Sequence, residues 1–212
     1  MNVSYYDEKF PYLIIDEMFD PLEMDLIWEE LDFLCYDDKL LDPIQGGSAE
    51  ENGVILKNNK TIFLDETYTK PTFSNILSVN PKVQQLMLDV RMAERSNKDF
   101  SWYYSNLIVN DYNTMISYYE NAEEYKSHID EGFITALTWF YREPKKFTGG
   151  DLHFDSYDKT IEVKHNRTAI FPAFIRHSVD EVKMKNTDTG KKNGRWCMAQ
   201  FFGFDGSKGF IK

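Results

Sequence analysis

The sequence has very few cysteines, and it lacks any long apolar run. Two cysteines, Cys35 and Cys197, occur in 212 residues, which is too few for a disulfide framework and suits a reducing compartment. No apolar stretch approaches the roughly 20 residues that span a bilayer. Residues 1–10 are polar and have no apolar signal core. We therefore expect a cytoplasmic protein without a signal peptide and without a membrane partner.

Positive charge is also scarce. The chain has 24 Lys and Arg against 35 Asp and Glu, so its net charge is −11 and its pI about 4.8. Such a protein repels a phosphate backbone, and we expect no nucleic-acid partner. Aromatic residues are abundant, at 16%, which favours a β-rich core rather than disorder.

The first half of the chain shows helical signals around one long polar segment. Asp20-Pro21-Leu22-Glu23 predicts a helix start with a capping box. The predicted apolar face of that helix is Leu22, Leu26, Ile27, Leu31 and Leu34. Residues 42–60 predict a long polar loop, a type of segment that often covers a site. Asn80-Pro81 predicts a second helix, whose apolar face is Val83, Leu86, Met87 and Val90.

From residue 101 the pattern changes to short strands. The predicted strands are 102–109, 115–120, 133–141, 152–154, 168–171 and 196–202. Short strands separated by turns are typical of a sandwich or barrel. We find no linker and predict one domain over 1–212, with helical support and a lid segment in 1–100 and the β core in 101–212.

Three residues predict a metal site. Residues two apart on a strand point to the same face, so His128 and Asp130 would present an imidazole and a carboxylate to one space. His177 downstream supplies a second imidazole. Two histidines and one carboxylate leave open positions on non-haem Fe(II), where a co-substrate and O₂ can bind. We interpret these residues as the metal ligands and the catalytic centre.

An arginine in an apolar strand predicts a bound anion. Arg195 begins the run Arg195-Trp196-Cys197-Met198, and an arginine in such surroundings needs an anionic partner. A planar guanidinium holds a carboxylate through two parallel hydrogen bonds. The residues alone thus indicate a metal together with a carboxylate ligand.

The order of these motifs resembles that of the Fe(II)/2-oxoglutarate-dependent dioxygenases, in particular their prolyl-hydroxylase-like branch. The residues that carry the resemblance are Tyr118-Tyr119, Tyr125-Lys126-Ser127-His128-Ile129-Asp130, Gly149-Gly150, Phe171-Pro172, His177 and Gly194-Arg195. The match runs from about Tyr118 to Phe202. Two features depart from the family pattern: residues 184–193 lengthen the connection between His177 and Arg195, and Trp139 stands where relatives often have a tyrosine.

The resemblance implies a fold and a reaction. The fold would be mainly β, within the α+β class: a double-stranded β-helix, or jelly roll, with supporting N-terminal helices. Fe(II) would be the cofactor and 2-oxoglutarate the co-substrate, with ascorbate as an optional addition. Oxidative decarboxylation to succinate and CO₂ would accompany hydroxylation of a substrate C–H bond by O₂. The residues implied to bind 2-oxoglutarate are Arg195, Tyr118, Tyr125 and Trp139.

Within this branch a protein or peptide substrate is favoured, and a prolyl target is the specific expectation. A small-molecule hydroxylase of the same class and a metal-binding jelly roll without turnover stay as alternatives. Adjacent Tyr118 and Tyr119 must face opposite ways on a strand. We read His153 as an ordinary strand residue and His165 as part of a solvated turn, and Cys197 as a small core residue.

Overall fold

The computed structural model describes residues 1–7, 9–36, 38–87, 103–104 and 107–207. No helix in these ranges is long and apolar enough to cross a membrane. The helices are α1 (Pro21–Tyr36), α2 (Leu64–Thr67) and α3 (Asn75–Val79), and residues 81–87 are also helical. Short 3-10 turns occupy Pro71–Phe73 and Asp155–Tyr157.

Strands make up most of the regular structure. In chain order they are β1 (Asn2–Tyr6), β2 (Tyr12–Asp16), β3 (Glu50–Glu51), β4 (Val54–Ile55), β5 (Lys60–Phe63), β6 (Asp111–Tyr119), β7 (Tyr125–His128), β8 (Ile134–Phe140), β9 (Phe147–Thr148), β10 (Leu152–Phe154), β11 (Lys159–Ile161), β12 (Arg167–Pro172), β13 (His177–Val179), β14 (Lys183–Met184) and β15 (Arg195–Gly203).

Two antiparallel sheets form the jelly roll, which confirms the predicted fold class. The major sheet has seven strands in the order β1-β2-β12-β8-β15-β6-β5, and the minor sheet has four in the order β11-β10-β13-β7. One apolar cluster packs α1 and α3 against one face of the major sheet. A second cluster combines side chains of β8, β12 and β15 with those of β10 and β13, so it fills the space between the sheets.

Helix α1 begins with the capping box that the sequence predicts. The backbone N–H of Glu23 donates to Asp20 Oδ1 at 3.0 Å, and that of Asp20 donates to Glu23 Oε2 at 2.8 Å. The predicted apolar face is wrong at two positions, because Leu22 is 77% exposed and Leu26 is 39% exposed. The buried side chains of α1 are Met24, Ile27, Glu30, Leu31 and Leu34.

The remaining predicted elements agree to different degrees. The predicted strand 152–154 matches β10, and those at 115–120, 133–141, 168–171 and 196–202 overlap β6, β8, β12 and β15. The predicted strand 102–109 is not found: residues 103–104 are helical, residues 107–109 have no regular structure, and residues 102, 105 and 106 lie outside the described ranges. Val90 also lies outside them. The polar segment 42–60 carries the β3–β4 hairpin.

Candidate metal and anion site

Strand pairing in the minor sheet brings the two histidines together. His128 ends β7, His177 begins β13, and the two are directly paired. Asp130 lies two residues beyond His128, outside the strand. Its Oδ1 is 3.4 Å from His128 Nε2 and its Oδ2 is 3.4 Å from His177 Nε2. All three ligand atoms lie within 4.8 Å of one another, a spacing that a single metal ion can bridge.

Hydrogen bonds orient each member of this trio. His128 Nδ1 donates to the carbonyl of Lys126 at 2.8 Å, and His177 Nδ1 donates to that of Ile175 at 2.9 Å. Carbonyl oxygens only accept, so each Nδ1 carries a proton, and in the neutral ring each Nε2 has a lone pair for a metal. The Thr135 hydroxyl donates to Asp130 Oδ2 at 2.7 Å. Such outer partners are typical of metal sites.

The charge state of the trio also suits a divalent cation. Burial alone would raise the pKa of Asp130, but His177, His128 and Thr135 outweigh that effect and hold the pKa below its usual range. Burial lowers the pKa of His177, against the attraction of Asp130. A carboxylate beside a neutral imidazole is the donor set that Fe(II) requires.

Arg195 offers a second, anionic site on β15. The residue is 1% exposed, and none of its three guanidinium nitrogens has a hydrogen-bond partner within the described part of the chain. Trp139 Nε1 is also buried, and it too has no hydrogen-bond partner among the described residues. A buried charge without a partner is costly. These unpaired donors therefore fit a carboxylate ligand that the protein does not itself supply.

Neighbouring residues shape the space around Arg195. The rings of Tyr119 and Trp139 lie 4.6 Å and 5.9 Å from its guanidinium carbon. Gly150 has a φ of 74°, and a Cβ there would lie 2.7 Å from Arg195 Cδ. The predicted Gly149-Gly150 turn thus needs glycine for its backbone conformation and, at Gly150, for the close approach to Arg195.

The structure separates one predicted co-substrate residue, Tyr118, from Arg195 and brings its neighbour Tyr119 to it. Tyr118 packs in the cluster between the major sheet and the helices, whereas Tyr119 packs between the sheets. The Tyr118 hydroxyl accepts from the backbone N–H of Gly194 at 3.0 Å. Tyr118 thus faces away from Arg195, whereas the Tyr119 ring lies against the Arg195 guanidinium. The signal was available, because adjacent strand residues face opposite ways, but only the pairing of Tyr119 with Arg195 shows which one faces inward.

Tyr125 lies against His128 of the metal trio and packs on the apolar cluster that contains Tyr119 and Trp139. Its ring stacks on His128 with centroids 3.6 Å apart and planes inclined by 13°. Its hydroxyl accepts a hydrogen bond from the backbone N–H of Ala49 at 2.9 Å. Tyr125 thereby joins the metal trio to the polar segment that precedes the β3–β4 hairpin.

An open cavity of about 650 Å³ adjoins the trio. His128 and Asp130 form part of its lining, and residues 47–51 with Leu56 form another part. Met115 and Phe201 add apolar surface. The polar segment predicted as a loop therefore lines the same cavity as His128 and Asp130 of the metal trio.

The other two histidines have different surroundings. His153 Nε2 is 2.7 Å from Asp180 Oδ2 and its Nδ1 is 2.8 Å from Thr160 Oγ1, as expected for an ordinary strand residue. The prediction of a solvated His165 is wrong, because it is half-buried and stacks on Trp28 with centroids 6.0 Å apart. Burial lowers the pKa of His165. Cys197 is buried in the core, as predicted.

Residues 114–203 match the family model of the 2OG-Fe(II) oxygenase superfamily. The metal trio and Arg195 all lie inside the matched range. The matched range is about two fifths of the chain, and over it the chain is similar to this superfamily. The match supports a 2-oxoglutarate-dependent oxygenase, as the sequence predicts. A comparison with curated proteins found no match.

Solved structures of prolyl hydroxylases share the fold of this oxygenase. A prolyl-4-hydroxylase from Pseudomonas putida aligns with a TM-score of 0.57 and 13% identity, over 93% of this chain and 95% of that one. A prolyl hydroxylase from Trichoplax adhaerens, in complex with a hypoxia-inducible-factor peptide fragment, aligns with a TM-score of 0.62 and 13% identity, over 93% and 84%. A viral collagen prolyl hydroxylase from Paramecium Bursaria Chlorella virus-1, as a 2OG complex, gives 0.52 and 15%, over 92% and 96%.

Proposed function

We propose that His128, Asp130 and His177 hold Fe(II) and that Arg195 binds the far carboxylate of 2-oxoglutarate. The observation that carries this proposal is the buried guanidinium of Arg195, which has no hydrogen-bond partner among the described residues. It lies in the same jelly roll as a metal trio with oriented histidine rings. Fe(II), 2-oxoglutarate and O₂ would together supply the chemistry that hydroxylates a substrate C–H bond, with succinate and CO₂ as co-products.

The residues of the chain bind and orient the reactants. Arg195 would hold the carboxylate in a two-point contact, and the Trp139 N–H would donate to it as well. Thr135 keeps the Asp130 carboxylate aligned. The Phe171 ring contacts His177 with centroids 5.0 Å apart, and this apolar wall limits the access of water to the metal.

We infer that the substrate is a protein or peptide and that the hydroxylated residue is a proline. The cavity beside the trio is open to solvent, and exposed apolar side chains stand close to the trio in sequence: Ile129 is 51% exposed and Phe174 is 58% exposed. Ile129 also lines the cavity, and apolar surface at the mouth of an open cavity suits contact with a peptide side chain. The structural neighbour that carries a peptide fragment supports the same inference.

Anaerobic titration with Fe(II) and 2-oxoglutarate tests the metal and co-substrate assignment without a known substrate. The chelate should produce a weak visible charge-transfer band in the wild type, and the band should be absent without 2-oxoglutarate. Wild-type protein that binds Fe(II) but never develops the band would contradict the proposed co-substrate.

A library of proline-containing peptides tests the substrate assignment. A substrate peptide should accelerate succinate release and gain the mass of one oxygen atom, located on proline by fragmentation. Oxidation of a small molecule but of no peptide would contradict the peptide assignment and favour a small-molecule hydroxylase. Adding ascorbate to the substrate-free reaction tests whether it prolongs turnover.

A further inference from the structure

Lys57 is a buried cation for which the reaction has no evident use. Its side chain belongs to the polar segment 42–60, yet the residue is 4% exposed. Among the described residues no carboxylate lies within ion-pair distance of its ammonium. The lysines that form ion pairs there are Lys60, Lys82 and Lys164. Burial lowers its pKa to about 8, although Asp130 acts in the opposite direction. Burying a lysine without a carboxylate is costly, so its position needs a compensating role.

The ammonium holds the chain just before the β3–β4 hairpin. It donates to the carbonyl of Gly47 and to Thr61 Oγ1 at 3.2 Å. The Thr61 hydroxyl in turn donates to the carbonyl of Gly46 at 2.7 Å. Two consecutive carbonyls of the cavity segment are therefore held by one lysine and one threonine, and Thr61 is anchored in β5 of the major sheet.

The same lysine also reaches the residues that support the metal trio. Lys57 pairs with Tyr125 through an isolated β-bridge, and its ammonium lies 5.7 Å from the centre of the Tyr125 ring. That ring stacks on His128, and its hydroxyl binds the backbone N–H of Ala49. Gly47, Ala49, Tyr125 and His128 all line the cavity, whereas Lys57 lies behind them.

We propose that Lys57 is a positioning residue that fixes segment 46–49 and the Tyr125 ring against His128, and so sets the wall of the substrate cavity. The proposal rests on the proposed function, since it takes His128 as a metal ligand. An apolar side chain could fill the same volume, but only an ammonium can donate to the Gly47 carbonyl and Thr61 together. Its hydrogen bonds exist only while the segment stays folded over β5 and β7.

Amide hydrogen exchange in the Lys57→Met variant tests this role directly. The Ala49 N–H donates to the Tyr125 hydroxyl, and the Leu56 N–H donates to the Ala49 carbonyl at 3.0 Å. Both amides should exchange at least about tenfold faster in Lys57→Met, because local opening of the segment then costs less free energy. Amides of β15 should keep their wild-type rates.

The matched control is Lys60→Met, which removes a partly exposed lysine of the same segment and should leave all of these rates unchanged. Thr61→Val serves as a second variant: it removes the hydroxyl from the same network and should accelerate the same two amides. Wild-type exchange rates at Ala49 and Leu56 in both Lys57→Met and Thr61→Val would overturn the proposal. Acceleration throughout β15 would overturn it too, because Lys57 would then be a general packing residue.

Co(II) supplies a second readout that distinguishes positioning from stability. The visible bands of Co(II) bound at the trio report the orientation of its ligands, so Lys57→Met should shift them while Lys60→Met should not. Identical bands in Lys57→Met and the wild type would contradict a link to His128. If the wild type binds no Co(II) at the trio, the proposed metal centre fails, while the exchange data still test the placement of the segment.

Discussion

The hydrogen-bond partners of each histidine, rather than its position in the sequence, distinguish the metal-binding candidates from the other histidines. His128 and His177 each direct Nδ1 to a backbone carbonyl and Nε2 to Asp130. His153 contacts Asp180 and Thr160 on the partly exposed surface of the minor sheet. The first arrangement leaves lone pairs for a metal, and the second has both nitrogens engaged.

Replacing His177 by alanine should abolish stoichiometric binding of Fe(II) or Co(II), because two donors cannot hold the ion as the three do. His153→Ala is the matched control and should bind like the wild type. Calorimetric titration measures both. Equal affinities of His177→Ala and the wild type would show that the metal binds elsewhere.

Arg195→Ala should weaken 2-oxoglutarate binding strongly and spare metal binding. Losing one member of a buried ion pair costs roughly 3–5 kcal/mol, which corresponds to an affinity loss of about 100-fold or more. Arg195→Lys should recover part of it, since an ammonium cannot make the two-point contact. Titration of the charge-transfer band gives the dissociation constants. Wild-type affinity in Arg195→Ala would place the carboxylate elsewhere.

Among the elements, α1 shows how an apolar pattern can be assigned to the wrong face. Leu31 is fully buried, whereas Leu22 is 77% exposed, although both fitted the predicted apolar face. Leu31→Ala should reduce the free energy of unfolding by roughly 2–5 kcal/mol, because it leaves a cavity. Leu22→Ala should change it by about 0.5 kcal/mol or less. Urea unfolding measures the free energy of unfolding of both variants. Similar losses in the two would contradict the observed packing of α1.

For the molecule as a whole, stability should respond to pH through Lys57. The pKa of Lys57 is about 8 in the folded protein against an ordinary 10.5. Between these values the unfolded chain binds more protons than the folded one, so the contribution of Lys57 to the free energy of unfolding rises with pH. Below about pH 8 both states carry the charge, and the contribution stays constant at its lowest value.

The difference in free energy of unfolding between the wild type and Lys57→Met isolates this effect. It should grow in favour of the wild type by at most ~1.4 kcal/mol per pH unit through this window. Tyrosines and cysteines with raised pKa values act in the opposite direction, but they are present in both proteins and cancel. A difference that stays flat from about pH 7.5 to about pH 10 would mean that Lys57 is not buried as a cation.

Local signals in the sequence were sufficient for the family, the jelly-roll class and the capping box of α1. Each depends on neighbours in the chain: the Asp20 and Glu23 pair closes within one helical turn, and the order of His128, Asp130, His177 and Arg195 carries the family pattern. Trp139 was also predicted to bind 2-oxoglutarate. The structure places its ring near Arg195, and its buried N–H has no partner within the described part of the chain.

Tertiary structure decided which side chains meet. The choice between Tyr118 and Tyr119 depended on the register of β15 against β6, and the burial of Leu31 rather than Leu22 depended on which side of α1 the major sheet covers. The role inferred for Lys57 depends on contacts with β5 and β7. Spacing along a chain specifies the face of an element, but contacts between distant elements form only when the sheets pack, and those contacts determine which face becomes the site.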